Sequence, residues 1–242
     1  MKLLIIRHGD PDYAHDTLTE KGWREAGLLA ERLARANVRD WYVSPLGRAQ
    51  DTLRPTLEKT GQTATTLEWL REFPPHGIDE YTGKYHVVWD YMPRYRARYP
   101  EWNDAHGWPD CHPFRELGCR PLADQMWQGL DRVLGSYGYH REGMFYRVDR
   151  GTTDTIAFVC HFGAGTILLS HLLNISAAQL LHTTFMAPTS VTLAVTEERE
   201  RGIAQFRAIQ IGDTSHLYPA GEPLSLSGFF TEVYPEGGEG FY

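Results

Sequence analysis

Cysteine is scarce in this chain: Cys111, Cys119 and Cys160 are its only thiols in 242 residues. Three cannot all pair, and a chain of this length builds a core without disulfides, so a stapled scaffold is excluded and a reducing cytoplasm is expected. A zinc site lacks support too, because Cys111, His112 and Cys119 have no fourth ligand at a recognisable spacing. Long apolar runs are also missing. The first, Leu3–Ile6, meets a charge at Arg7 and is too short for a signal-peptide core or a bilayer span, so neither a targeting segment nor a membrane partner is expected. An excess of positive charge is absent as well: the net charge of −7 repels nucleic acid and anionic membrane, so an anionic ligand must be captured by a local cluster of Arg and His. With no internal repeat and no low-complexity linker, a hydrophobic content of 42% and a charged content of 23% describe an ordinary globular chain. One domain over residues 1–242 is expected.

What is present is an alternation of short buried strands and helical patterns. Leu3–Ile6 reads as a buried strand that puts His8 at its carboxyl end, and from Thr19 a helical face of Trp23, Ala26, Ala30 and Leu33 follows, with Thr19 able to cap it. Trp41–Val43 reads as a second strand, Ser44-Pro45 as a turn, and the stretch from about Leu46 as a helix that Pro55 should kink or stop. Thr155–Cys160 followed by a helical Gly163–Leu173 places His161 at the same kind of junction as His8. Ser190–Thr196 and Ile203–Ile211 alternate, and the charged stretch 197–202 between them should close a hairpin. Residues 76–150 differ in character. Trp89, Tyr91, Tyr95, Tyr99, Trp102 and Trp108 are interleaved with Arg94, Arg96 and Arg98, which reads equally as a lid or as packed rings with exposed arginines. Within this insertion Leu122, Met126, Leu130, Val133 and Leu134 have the spacing of a helix docked on the main sheet. The tail from Pro219 should be loosely ordered, and His216 reads as structural.

In parallel sheets ligands gather at the carboxyl ends of strands, where helices present their amino termini. Three such ends carry Arg7 with His8, Arg48, and His161. Neutral His8 can attack phosphorus through one ring nitrogen while a turn carbonyl holds the proton on the other; Arg7 and Arg48 can bind the equatorial oxygens, and His161 can add a donor. No metal is needed for such a cluster to act.

Arg7-His8-Gly9, Leu18-Thr19-Glu20 with Gly22, Ser44-Pro45-Leu46 with Arg48-Ala49, Leu70-Arg71-Glu72, and His161 after a strand together resemble the histidine phosphatase superfamily, which includes the cofactor-dependent phosphoglycerate mutases. Gly212-Asp213-Thr214-Ser215-His216-Leu217 continues the resemblance, and Pro74–Arg150 lies largely outside it. The resemblance implies that His8 becomes a phosphohistidine, that Arg7, Arg48, His161 and the Phe162 amide bind phosphate, and that Glu72 donates the proton. Glu68, Asp79 and Glu80 stay open as alternative donors. Asp10, Asp51 and Phe162 depart from the family's usual residues, which is expected to reshape the pocket.

The expected fold is an α/β/α three-layer sandwich, phosphoglycerate mutase-like, with a mainly parallel central sheet, an antiparallel element from the late hairpin and a cap inserted at about 76–150. The expected function is metal-independent, cofactor-free hydrolysis of a small phosphomonoester through a phosphohistidine, with a small phosphorylated substrate as the partner and a homodimer admissible. The alternatives are a mutase-like phosphotransferase and a phosphate-binding protein without turnover.

Overall fold

The computed structural model describes residues 1–78, 83 and 85–230. Its first strand, β1 (Lys2–Arg7), is apolar from Leu3 to Ile6 because both of its faces are covered. Alternate side chains enter opposite cores: Leu4 and Ile6 pack with Leu29, Leu33, Trp41 and Leu53, whereas Leu3 and Ile5 pack with Phe158, Ile167 and Leu168. A strand between two cores is the middle of three layers.

A small ribbon, β2 (Pro11–Asp12) and β3 (Thr17–Leu18), leads into α1 (Glu20–Leu33), whose first turn is capped where Thr19 Oγ1 accepts from the Gly22 amide. Strand β4 (Val38–Val43) then feeds α2 (Gly47–Thr60). Of the stop or kink expected at Pro55, the stop does not occur: the helix runs on to Thr60 and closes with Gly61 in the left-handed conformation, φ 69°. Proline there removes one amide donor, and the burial of Leu53 and Thr56 on either side holds the helix to its neighbours.

Strand β5 (Ala64–Thr66) lies at the edge, and β6 (His76–Ile78) with β7 (Tyr85–Val87) makes a separate ribbon. Next come α3 (Pro93–Arg96), α4 (Cys119–Ser136) and the hairpin β8 (Tyr139–Glu142) with β9 (Phe145–Val148). The chain then runs through β10 (Thr155–Cys160), α5 (Phe162–Leu173) and α6 (Ala177–Thr183) to the hairpin β11 (Val191–Glu200) and β12 (Ile203–Asp213).

The main sheet has the order β5-β4-β10-β1-β11-β12-β9-β8. It is parallel from β5 to β1 and antiparallel from β11 outward. Residues of α1 and α2 share one core, and residues of α4, α5 and α6 share the other, which makes the mixed α/β/α sandwich. The late hairpin turns tighter than its charges imply: Glu197 pairs with Gln205 and Glu200 with Ile203, so only Arg201 and Gly202 form the turn. A backbone ladder continues regardless of exposed side chains, and Gly202 at φ 79° supplies the reversal.

Within the insertion, α4 packs on α5 and β8–β9 extend the main sheet. Its rings are mostly core: Tyr95, Trp102, Trp108 and Phe114 are buried, with Tyr91 and Tyr95 stacked at 5.1 Å and Trp102 against Phe114 at 4.6 Å. Arg94 and Arg98 face solvent. The tail also differs from expectation. Glu222 pairs with Lys21 at 2.9 Å and Arg24 at 3.0 Å, and Ser225 bonds Asp10, so the described part of the tail is tied down by charged partners on α1 and the loop before it. No helix among the described residues is long and apolar enough to cross a membrane.

Phe158 is fully buried and stacks on Tyr42 at 5.1 Å. Phe158→Ala should therefore cost about 3–5 kcal/mol in denaturant unfolding, the range for an unfilled aromatic cavity. Burial pushes His182 and His216 down to about 4 from the ordinary 6.5. The unfolded chain binds these protons first, so stability is full above the ordinary histidine value and declines as pH falls from there to about 4. Melting temperatures across that interval should show the decline, and replacing both residues by Gln should lessen it, the remainder coming from the other buried histidines.

Candidate active site

Parallel pairing of β1 with β10 sets Arg7 opposite Cys160, so the residues that follow, His8 and His161, leave the sheet side by side. Their rings lie 5.1 Å apart. The His8 amide donates to Cys160 O at 2.9 Å and its carbonyl accepts from Thr189 N at 3.1 Å, which locks the turn between three strands. Gly9 N donates to Thr52 Oγ1 at 2.8 Å, joining the turn to α2.

The His8 side chain is buried, with Nδ1 2.7 Å from the Gly9 carbonyl. A carbonyl only accepts, so the ring proton is on Nδ1 and Nε2 carries the lone pair. Burial first, and then the Arg7 charge, hold its pKa well below the usual histidine range. His161 is the residue before α5, and its Nε2 lies 2.7 Å from Ser44 Oγ, a hydroxyl that already accepts from Leu46 N. With its O–H turned to Nε2, Ser44 favours the tautomer that carries the His161 proton on Nδ1, a buried atom with no partner among the described residues. Burial and the neighbouring His8 also keep this ring neutral.

The cations are anchored from behind. Arg7 gives Nη1 to Met186 O and Nη2 to Ser227 O, each at 2.8 Å, while its Nε is buried without a partner among the described residues. Arg48, in the first turn of α2, gives Nη1 to Asp16 Oδ1 at 2.6 Å, and its Nε is likewise buried and unpaired. Asp16 Oδ2 accepts from Gly47 N at 2.7 Å, so one carboxylate fixes both the helix start and its arginine. Only glycine fits at position 47, because a Cβ there would meet Asp16 O at 2.1 Å. The exposed Tyr13 ring lies 5.5 Å from the Arg48 guanidinium.

Glu72 approaches from the loop after β5. Its Oε1 accepts from Phe73 N at 2.7 Å and from Ala164 N in the first turn of α5 at 2.9 Å. Those amides and Arg7 favour the charged carboxylate, yet burial outweighs them and the pKa is raised. Phe162 opens α5 with a further first-turn amide. Of the other carboxylates considered, Glu68 is solvent-exposed and pairs with Arg71 at 3.1 Å, and Asp79 and Glu80 lie outside the described residues.

The structure thus brings together Arg7, His8, Arg48, Glu72, His161 and Phe162. Sequence reasoning missed Asp16, Tyr13 and the orienting role of Ser44, although Ser44 stood in a recognised turn. Asp10 accepts from Thr19 at 2.7 Å and from Ser225, and Asp51 accepts from Thr17 and Arg54, so both brace loops. The ensemble can bind a tetrahedral anion between two guanidiniums and two neutral imidazoles, with a carboxyl of raised pKa alongside.

The family model for the "Histidine phosphatase superfamily (branch 1)" matches residues 3–137. No curated protein matches the sequence. Among solved structures, a phosphoserine phosphatase mutant from Entamoeba histolytica in complex with phosphoserine is similar, with a TM-score of 0.58 at 21% identity over 89% of this chain and 98% of that one. The mycobacterial glucosyl-3-phosphoglycerate phosphatase gives a TM-score of 0.57 at 19% identity over 87% and 98% of the two chains. At these identities the likeness is one of fold.

Ser44→Ala should free the His161 ring to turn and change tautomer. Catalytic efficiency toward a phosphomonoester should drop about tenfold or more, as for other residues that orient a functional imidazole. The melting temperature should move by only a few degrees, roughly the loss of one hydrogen bond.

Proposed function

Because the chain belongs to the histidine phosphatase superfamily, we propose that it hydrolyses a small phosphomonoester through a phosphohistidine on His8, with no metal ion. The observation that carries this reading is the His8 ring itself, whose proton is committed to Gly9 O and whose lone pair is on Nε2 beside His161 and the two arginines.

Nε2 attacks phosphorus in line with the ester oxygen, the N–P bond forms as the P–O bond breaks, and Glu72 gives its proton to the departing oxygen. Arg7, Arg48, His161 Nδ1 and the Phe162 amide hold the three remaining oxygens as charge spreads onto them. Water then attacks the phosphohistidine, Glu72 takes a proton from that water, and inorganic phosphate leaves with His8 neutral again. Each cation is fixed by protein carbonyls or a carboxylate before substrate arrives, so little reorganisation is needed at the moment of reaction. The insertion at about 76–150 serves in this scheme as a cap, chiefly through Trp89, which sits against Phe162 at 5.5 Å.

Two protonation states must coexist. His8 has to be neutral, and its lowered pKa moves the acid limb of the rate below the usual histidine range; Glu72 has to be protonated, and its raised pKa moves the alkaline limb above the usual glutamate range. The pH profile of kcat/KM should be a bell between these limbs. Glu72→Gln should slow alkyl phosphates by about a hundredfold or more, the span of general acid catalysis, and aryl phosphates less, because their leaving groups need less help. His8→Ala should abolish phosphate release with chelator present and leave the fold intact, and wild type quenched in alkaline detergent, which spares the acid-labile P–N bond, should carry label from radioactive ester on His8. Full activity in the His8 variant would refute the mechanism. Label handed to a second alcohol instead of water would identify a mutase, and ligand-stabilised melting without any release would identify a binding protein.

A further inference from the structure

A cavity of about 220 Å³ adjoins the phosphate site and is lined by Trp89, Phe162, Leu181, Phe185 and Phe229 together with His182, Thr183 and Thr184. Its rings form a continuous wall: Trp89 meets Phe162 edge-on at 5.5 Å, Phe162 lies 6.3 Å from Phe185, and Phe185 lies 4.9 Å from Phe229. The wall begins at the reacting groups. The Arg7 guanidinium is 5.9 Å from the Phe162 ring and 5.6 Å from the Phe185 ring. A Cβ built on Gly163 would meet both Glu72 Oε1, at 2.7 Å, and Trp89 Cζ3, at 2.9 Å, so the proton donor and the tryptophan converge on one point.

The polar groups of the lining are already engaged. Thr183 and Thr184 donate their hydroxyls to Gln179 O and Leu180 O, each at 2.7 Å. His182 has Nδ1 at 2.7 Å from Ala178 O, and its Nε2 accepts from Tyr91 N at 3.4 Å. No Lys, Arg, Asp or Glu is among the described residues of the lining. Such a surface offers ring faces and edges to a leaving group, but neither a cation for a carboxylate nor spare donors for a polyol.

We propose that this cavity is the leaving-group subsite, and that the enzyme prefers phosphomonoesters of uncharged alcohols bearing an aromatic ring or a comparable apolar group. The inference rests on the phosphatase reading above. Phe162 is its pivot: the residue that contributes an amide to the phosphate also turns its ring into the wall, so the ester oxygen and the apolar group enter from one side. Desolvating an apolar leaving group there also shields the P–O bond from water until Glu72 has delivered its proton.

Leaving-group acidity would confound a comparison of aryl with alkyl esters, so the test uses alkyl esters only. Phosphate release by the full chain would be followed for 2-phenylethyl phosphate, n-propyl phosphate, glycerol phosphate and phosphoserine. The expected result is a kcat/KM for the phenylethyl ester at least about tenfold above that for the propyl ester, with the two polar esters lower still, in line with the discrimination that apolar pockets achieve. Phe185→Ala should cut the phenylethyl-to-propyl ratio about tenfold, and the milder Phe185→Leu, which keeps the packing volume, should cut it less. A ratio near one in the wild type, or a ratio that neither variant changes, overturns the subsite while leaving the phosphatase reading in place. Release from none of the esters, with no label on His8, overturns the phosphatase reading and this inference with it.

Discussion

The register of β1 against β10 is the constraint on which the rest of this molecule depends. Arg7 opposes Cys160 across a parallel pair, so the next residue of each strand is a histidine leaving the same edge, and the two rings meet at 5.1 Å. A slip of one residue would turn Leu3 and Ile5 out of their core, since neighbouring side chains on a strand face opposite ways. Both cores therefore act to keep the histidines together. Leu3, Ile5, Ile156 and Phe158 vote on one face, and Leu4, Ile6, Ala157 and Val159 on the other.

Burial at that edge is costly to charge, and the site uses the cost. Neutral imidazoles result at His8 and His161, where desolvation and nearby guanidiniums act in the same direction. At Glu72 the two effects oppose each other, and desolvation prevails over Arg7 and the amides of α5. One environment thus favours the neutral form of both kinds of group, an imidazole with a free lone pair and a carboxyl that holds its proton more tightly than usual. The arginines are each tethered to oxygen: Arg7 to the carbonyls of Met186 and Ser227, Arg48 to Asp16.

The insertion and the tail both run from the core to the margin of the site. Trp102, Trp108 and Phe114 are buried and contribute area to the core, whereas Trp89 stands at the margin against Phe162. The tail reaches the site because Glu222 and Ser225 find partners at Lys21, Arg24 and Asp10, and that path delivers the Ser227 carbonyl to Arg7 and Phe229 to Phe185.

The sequence by itself determined the strands β1 and β10, the helices after them, the three-layer class, and the cluster of His8, Arg7, Arg48 and His161 at strand ends. These were legible because a doubly covered strand must be continuously apolar, and because a residue's place at the end of such a run fixes where it emerges. It did not reveal that residues 219–230 would be tied to α1, or that Asp10 and Asp51 would brace loops, since each outcome depends on partners distant in sequence. Only the tertiary structure decided which nitrogen of His8 holds its proton, which carboxylate lies beside Arg7, and that the ring of Phe162 joins Trp89 and Phe185 in one wall. Local sequence carries backbone periodicity, whereas tautomers, desolvation and pocket shape come from atoms that meet only when the chain is folded.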